Sequence, residues 1–183
     1  MIMKPEQLAL NEAIKTGDIP AIAAALASGA DVNYLDSAGL HDPPLVTALA
    51  YDSDYPELSE GTRLSVVRFL VERGANVNFP GDDGCRPLFY AALGWNDSIF
   101  DYLLSCGADP NFLMDNDAES LFDSLIFDWR FDFFDLDEPE SPLEGEDNVD
   151  WLSRIAAKNG KPQPRILQML KAAGAKRHHE LRG

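Results

Sequence analysis

Five residues return at the same place in a repeating pattern, and that return restricts the fold more than anything else in the chain. Gly29-Ala30-Asp31-Val32-Asn33, Gly74-Ala75-Asn76-Val77-Asn78 and Gly107-Ala108-Asp109-Pro110-Asn111 share one form, and Gly174-Ala175-Lys176 is a worn fourth copy. Each copy follows an apolar run of helical character: Ile22 to Leu26, Val66 to Val71, Ile99 to Leu104 and Ile166 to Leu170. The glycines lie 45, 33 and 67 residues apart, which reads as a 33-residue period lengthened by 12 in one unit and by 34 in another. A unit of this size offers two short amphipathic helices. It cannot bury a core alone, so its neighbours must supply the missing surface. The recurrent glycine takes the positive φ that ends the second helix of each unit.

The third unit is the most regular. It runs Asp83-Gly84-Cys85-Arg86-Pro87-Leu88-Phe89-Tyr90-Ala91-Ala92, then Ile99-Phe100-Asp101-Tyr102-Leu103-Leu104, then Gly107-Ala108-Asp109. This pattern resembles the ankyrin repeat. The family's T-P-L-H-x-A opening stands here as Arg86-Pro87-Leu88-Phe89-Tyr90-Ala91, with Thr and His both replaced. Weaker openings are Pro43-Pro44-Leu45-Val46-Thr47-Ala48 and Glu119-Ser120-Leu121-Phe122-Asp123-Ser124. The turn between the helices is altered to Gly94-Trp95-Asn96. The resemblance implies an all-α ankyrin-repeat solenoid of about four helix-turn-helix units, a single domain over 1–183. The units fall at about 5–35, 36–80, 81–113 and 114–177. Two insertions interrupt them, at about 51–61 and 128–161.

Proline at the start of the first helix of a unit fits, because the N–H it lacks has no helical partner there. Ala48, Ala91 and Ala92 keep those helices thin where they pack closely. Residues 5–28 read as an N-terminal capping unit with a wet outer face. In the fourth unit Leu121, Phe122, Leu125, Ile126 and Trp129 recur at helical spacing. Its long insertion contains a further short helix over Asn148 to Asn159, with Trp151, Leu152 and Ile155 on one side, before the pattern resumes at Pro162 to Leu170.

The formal net charge of −16 argues against nucleic acid or an anionic membrane as the main ligand and favours a basic protein partner. The charge is uneven. Residues 128–150 hold ten acids and one base, and 151–183 hold eight bases and one acid. Either the basic tail folds back on the acidic insertion, or the insertion is solvated, or Phe131, Phe133 and Phe134 among the acids form a docking arm. Two cysteines, Cys85 and Cys106, do not make a disulfide framework, and a reducing cytoplasm is the expected home. The first residues carry no apolar run of signal-peptide or membrane-spanning length.

Catalytic chemistry finds no footing. His41, His178 and His179 lie in no metal-ligand or nucleophile motif, and neither a phosphate-cradling glycine loop nor a G-x-S-x-G elbow occurs. No cofactor, metal site or catalytic residue is assigned. The resemblance implies protein recognition through fingertip loops and the first-helix surface. The partner-binding candidates are Asp82, Asp83, Tyr90 and Trp95 near the centre, with Asp115, Trp129, Phe131, Phe133 and Phe134 toward the C-terminal side. A monomer is expected. Acidic charge, small size and irregular insertions also suit a dedicated inhibitor or immunity protein that covers the active site of a basic toxin or enzyme. A scaffold with no dedicated ligand is the third reading.

Overall fold

In a computed structural model the chain is described over residues 3–35, 42–50, 58–81, 84–114, 119–132 and 140–182, with backbone only for 130–132. It divides into two compact units, residues 1–108 and 109–183.

The first unit is three helix pairs: α1 (Pro5–Thr16) with α2 (Ile19–Ala27), α3 (Pro44–Leu49) with α4 (Glu60–Glu72), and α5 (Pro87–Leu93) with α6 (Asp97–Ser105). The first helices of the pairs stack in chain order, α1 on α3 and α3 on α5, while α4 meets α6. Each first helix opens on its proline, as the sequence predicts. Ala48, Ala91 and Ala92 are buried in the stack, beside Leu10, Ile14, Val46, Leu88, Phe100 and Leu103. The second helix of each pair starts on a polar cap. Asp18, Ser59 and Asn96 each accept a backbone N–H from three residues on.

In the second unit, β1 (Leu113–Met114) pairs antiparallel with β2 (Glu119–Ser120), Leu113 facing Ser120. This hairpin lies where the sequence reading has a loop. Then come α7 (Leu121–Asp132), α8 (Asn148–Lys158), α9 (Arg165–Ala172) and a final turn, α10 (His178–Leu181). Leu121, Phe122, Leu125, Ile126 and Trp129 all point inward from α7, as their spacing predicts. The inserted helix α8 packs against both α7 and α9, burying Val149, Trp151, Leu152, Ile155 and Ala156.

The recurrent motif closes each repeat with one shared bond. The alanine N–H after each glycine donates to the carbonyl five residues back, Ala30 to Ala25, Ala75 to Leu70, Ala108 to Leu103 and Ala175 to Leu170. This is the helix-ending turn that requires positive φ at glycine, for example 86° at Gly107. The acidic or amide residue next in the motif accepts the N–H of the asparagine two positions on: Asp31 from Asn33, Asn76 from Asn78, Asp109 from Asn111, each at 2.9 Å. That asparagine's side chain then reaches the next turn. Asn33 donates to the Gly74 carbonyl (2.9 Å) and accepts the Asn76 N–H (2.8 Å). Asn78 donates to the Gly107 carbonyl (3.0 Å). Within the second unit Asn111 donates to the Gly174 carbonyl (3.4 Å) and accepts the Lys176 N–H (2.8 Å). The first turn has no preceding asparagine. There the buried Gln7 of α1 accepts the Asp31 N–H (2.9 Å) and donates to the Asp31 carbonyl (3.2 Å). Asn33→Ala leaves the Gly74 and Asn76 groups to water and is expected to cost about 1–2 kcal/mol, read by urea unfolding.

The last copy lacks the side-chain acceptor because Lys176 stands in its place. The N–H of His178, at the asparagine position, donates instead to Asp123 Oδ2 at 2.6 Å. Arg177 Nε pairs with Asp123 Oδ1, and Ser120 Oγ donates to Oδ2 at 2.7 Å. Ser120 in turn caps α7 by accepting the Asp123 N–H at 3.1 Å. Burial pushes the Asp123 carboxyl up, but these bonds from Ser120, His178 and Arg177 outweigh it and hold it below the ordinary aspartate value. A carboxylate depressed on folding contributes stability that is present above its unfolded value and lost as pH falls through the folded one. The second unit is therefore expected to lose stability on acidification below about pH 4. Asp123→Asn should be less stable at pH 7 and show a flatter profile across that window in thermal scans.

Candidate functional site

The candidates fall into two groups. Asp82, Asp83, Asp115, Phe133 and Phe134 lie outside the described residues, as does the Phe131 side chain. Tyr90, Trp95 and Trp129 are described.

Tyr90 is half-buried on α5, its ring edge-on to Phe89 with centroids 5.6 Å apart. Leu93, at the end of the same helix, is 46% exposed. Trp95 follows in the turn to α6 with φ of 47°, the one left-handed non-glycine residue among those described. Its equivalent in the first pair is Gly17. The Gly17 N–H donates to Ile14 and the Asp18 N–H to Ala13, as the Trp95 N–H donates to Ala92 and the Asn96 N–H to Ala91. The sequence shows Gly94 in this turn, yet Gly94 has φ of −75° and ordinary right-handed geometry. A tryptophan thus holds a backbone conformation that costs an L-residue about 1–2 kcal/mol. Trp129, by contrast, is 2% exposed and belongs to the inward face of α7.

In the first unit Arg73 lies over the Phe69 ring at 4.4 Å and Arg68 over the Tyr102 ring at 5.2 Å. Burial, aided by the Cys106 thiol, pushes the Tyr102 hydroxyl up to about 12, so it stays neutral. Arg63 is buried and was not singled out by sequence. It donates to the carbonyls of Ala48 (2.9 Å) and Ala50 (3.1 Å), closing the end of α3. No periodic signal marks it.

The described end of the long insertion is folded onto the helices beside it, which decides between the sequence alternatives for residues 140–150. Arg154 of α8 donates through Nε and Nη2 to Glu146 (2.8 and 2.9 Å) and through Nη1 to Glu140 (3.3 Å). Lys158 also pairs with Glu140. Lys171 of α9 meets Asp147 (2.7 Å) and Asp150 (2.8 Å). Trp151 Nε1 donates to the Glu140 carbonyl at 2.6 Å. Lys158 holds Glu140, and Arg154 holds Glu146, below the usual carboxylate range. Burial opposes the Asp147 carboxylate, but Lys171 and the N–H groups of α8 bring it down as well. These acids are matched within the second unit.

The family model for ankyrin repeats, in three copies, matches residues 10–113, more than half of the chain. The chain belongs to the ankyrin-repeat family. Its fold class is the all-α ankyrin solenoid, and the match runs from within α1 through α6 and the third motif turn. The chain is 46% identical over 52 residues to the "Ankyrin repeat and LEM domain-containing protein 1 homolog" of Caenorhabditis elegans, covering 28% of this chain and 7% of that one. It is 32% identical over 123 residues to the human "BCL-6 corepressor-like protein 1", covering 66% and 6%. Identity to the human "Arf-GAP with coiled-coil, ANK repeat and PH domain-containing protein 3" is 39% over 71 residues, covering 39% and 7%. The ankyrin-repeat chain spans less than a tenth of the length of these curated relatives. No helix among its described residues is long and apolar enough to cross a membrane.

Proposed function

We propose that this ankyrin-repeat chain is a protein-binding module without catalytic chemistry, and that its partner is a basic protein. The observation that carries the reading is how charge is distributed over the fold. Residues 140–183 hold six acids and eight bases, and most of those acids are paired within the second unit. Residues 1–139 hold twenty-five acids against seven bases, a net −18. The net negative charge of the chain therefore belongs to the repeats and the first part of the long insertion. Such a field repels nucleic acid and anionic lipid and speeds encounter with a basic surface. Tyr90 and Trp95 supply apolar anchorage, with Asp82, Asp83, Asp115, Phe131, Phe133 and Phe134 as sequence-based contacts, while Trp129 is buried on α7 and supports the packing of the second unit. We place the protein in the cytoplasm as a monomer.

The same concentration of charge favours a second reading, a dedicated inhibitor or immunity protein whose carboxylates occupy the phosphate-binding surface of a toxin or enzyme. Affinity capture from host lysate at physiological salt tests both. One basic protein in stoichiometric amount, released by raised salt and inactive while bound, is the result expected of the inhibitor. A spread of unrelated partners would leave a general scaffold. With the captured partner in hand, replacing Asp82 and Asp83 by lysine is expected to weaken binding about tenfold or more while the helical circular-dichroism signal is unchanged. Unchanged affinity would remove that loop from the site.

A further inference from the structure

Among the described residues, every exposed serine or threonine but one belongs to a helix or its cap. Thr16, Ser28, Ser65 and Ser105 donate to carbonyls of their own helices. Ser59 caps α4, and Ser98 lies in the first turn of α6. Ser141 differs. It is exposed, it lies outside any helix or strand, and its hydroxyl makes no hydrogen bond. An enzyme that modifies a hydroxyl draws the surrounding backbone into its own cleft. At a helical residue that requires local unfolding, and at Ser141 no helix has to unwind.

The surroundings of Ser141 in space are cationic. Residues 140–147 run as a strap beside α8. Arg154 Nη2 donates to the Ser141 carbonyl at 3.3 Å and to Glu146 at 2.9 Å, while Nη1 reaches Glu140 at 3.3 Å. Lys158, one turn further along α8, also pairs with Glu140. Further along the strap Asp147 pairs with Lys171, and Glu144 is exposed. These pairs are largely exposed, so each holds the strap weakly. Leu143 is 61% exposed and adds little apolar burial.

We infer that Ser141 is a phosphorylation site for a proline-directed protein kinase, and that Arg154 and Lys158 receive the phosphate. Pro142 selects the enzyme class, because it offers no backbone N–H after the serine and the kinase cleft must accept that. In the transfer Ser141 Oγ bonds to the γ-phosphorus of a nucleoside triphosphate, and the bond to the β–γ bridging oxygen breaks. The nucleoside diphosphate leaves with the electron pair, and the hydroxyl proton passes to the base of the kinase. The product carries a charge of about −2 at neutral pH and three acceptor oxygens. Glu140 is exposed and gives up Lys158 and Arg154 Nη1 to the phosphate at little cost, while Glu146 keeps its two bonds to Arg154. A dianion then pins the strap where a single carboxylate held it. This regulatory mark belongs to the second unit and stands apart from the protein-binding reading of the repeats.

The full chain is incubated with a purified proline-directed kinase and adenosine triphosphate. One phosphate on Ser141, located by mass spectrometry and absent from Ser141→Ala, is the expected result. No uptake, or uptake that leaves Ser141 unmodified, overturns the modification site. The receiving cations are tested separately on the full chain with phosphoserine encoded at position 141. Its phosphorus resonance is expected to titrate below the usual value of about 6, because Arg154 and Lys158 favour the dianion. Lys158→Gln should move that titration back toward the usual value. Amide exchange over residues 143–147 is expected to slow about tenfold against the unmodified chain. An unshifted titration, a titration indifferent to Lys158→Gln, or faster exchange overturns the assignment of the cations.

Discussion

Trp151→Ala is expected to destabilise the second unit by about 3–5 kcal/mol, one of the largest losses any single change in this chain would produce. Trp151 is 5% exposed on α8, and its indole N–H donates to the Glu140 carbonyl. Truncation leaves a cavity between α8 and the helices it touches, and it frees the segment that Arg154 otherwise holds through Glu140 and Glu146. Hydrogen exchange of the α8 and α9 amides with urea unfolding would measure the loss, and protection should fall in both helices together. A loss below about 1 kcal/mol would mean that α8 is a decoration on α7 and α9 and not part of their core. The ion pairs around Arg154 and Lys171 are partly exposed and carry much less of this stability than the apolar face.

Gly17→Ala is the second large effect, about 2–3 kcal/mol. Two costs meet at this residue. Its φ of 72° is left-handed, which costs an alanine about 1–2 kcal/mol. A Cβ there would also lie 2.7 Å from Thr62 Cγ2 and 3.1 Å from Leu58 Cδ2, so the start of α4 must give way. Gly174 separates the two terms, since it has φ of 75° and nothing within 4 Å of the same position. Gly174→Ala should cost only the backbone part, about 1–2 kcal/mol. Equal losses at the two sites, measured by denaturant unfolding, would show that the contact with α4 yields freely.

The partner-binding candidates were legible in the sequence to different degrees. Tyr90 and Trp95 could be named because the family resemblance places them on the first helix of the third repeat and in the turn that follows it. The left-handed backbone of Trp95 could not, since Gly94 beside it is the residue that composition points to. Trp129 shows the limit of pattern reading. Its spacing places it on the apolar side of α7, and only packing shows that side to be covered. The acidic insertion shows another limit. Charge counts reveal an acidic stretch followed by a basic one, but pairing depends on which side chains come within about 4 Å of each other.

By itself the sequence determined the repeat, its helix pairs, the proline starts, the glycine ends and the apolar sides of α7 and α8. All of these follow from local geometry: a helical period, a missing N–H, a positive φ. The tertiary structure alone decided the reach of Asn33, Asn78 and Asn111 to the next turn, the stand-in role of Gln7, the Asp123 clamp and the neutralisation of Glu140 and Glu146 by Arg154. Those bonds join residues distant in the chain, up to 65 apart for Asn111 and Lys176. Their energy depends on distances of about 3 Å that no period in the sequence encodes.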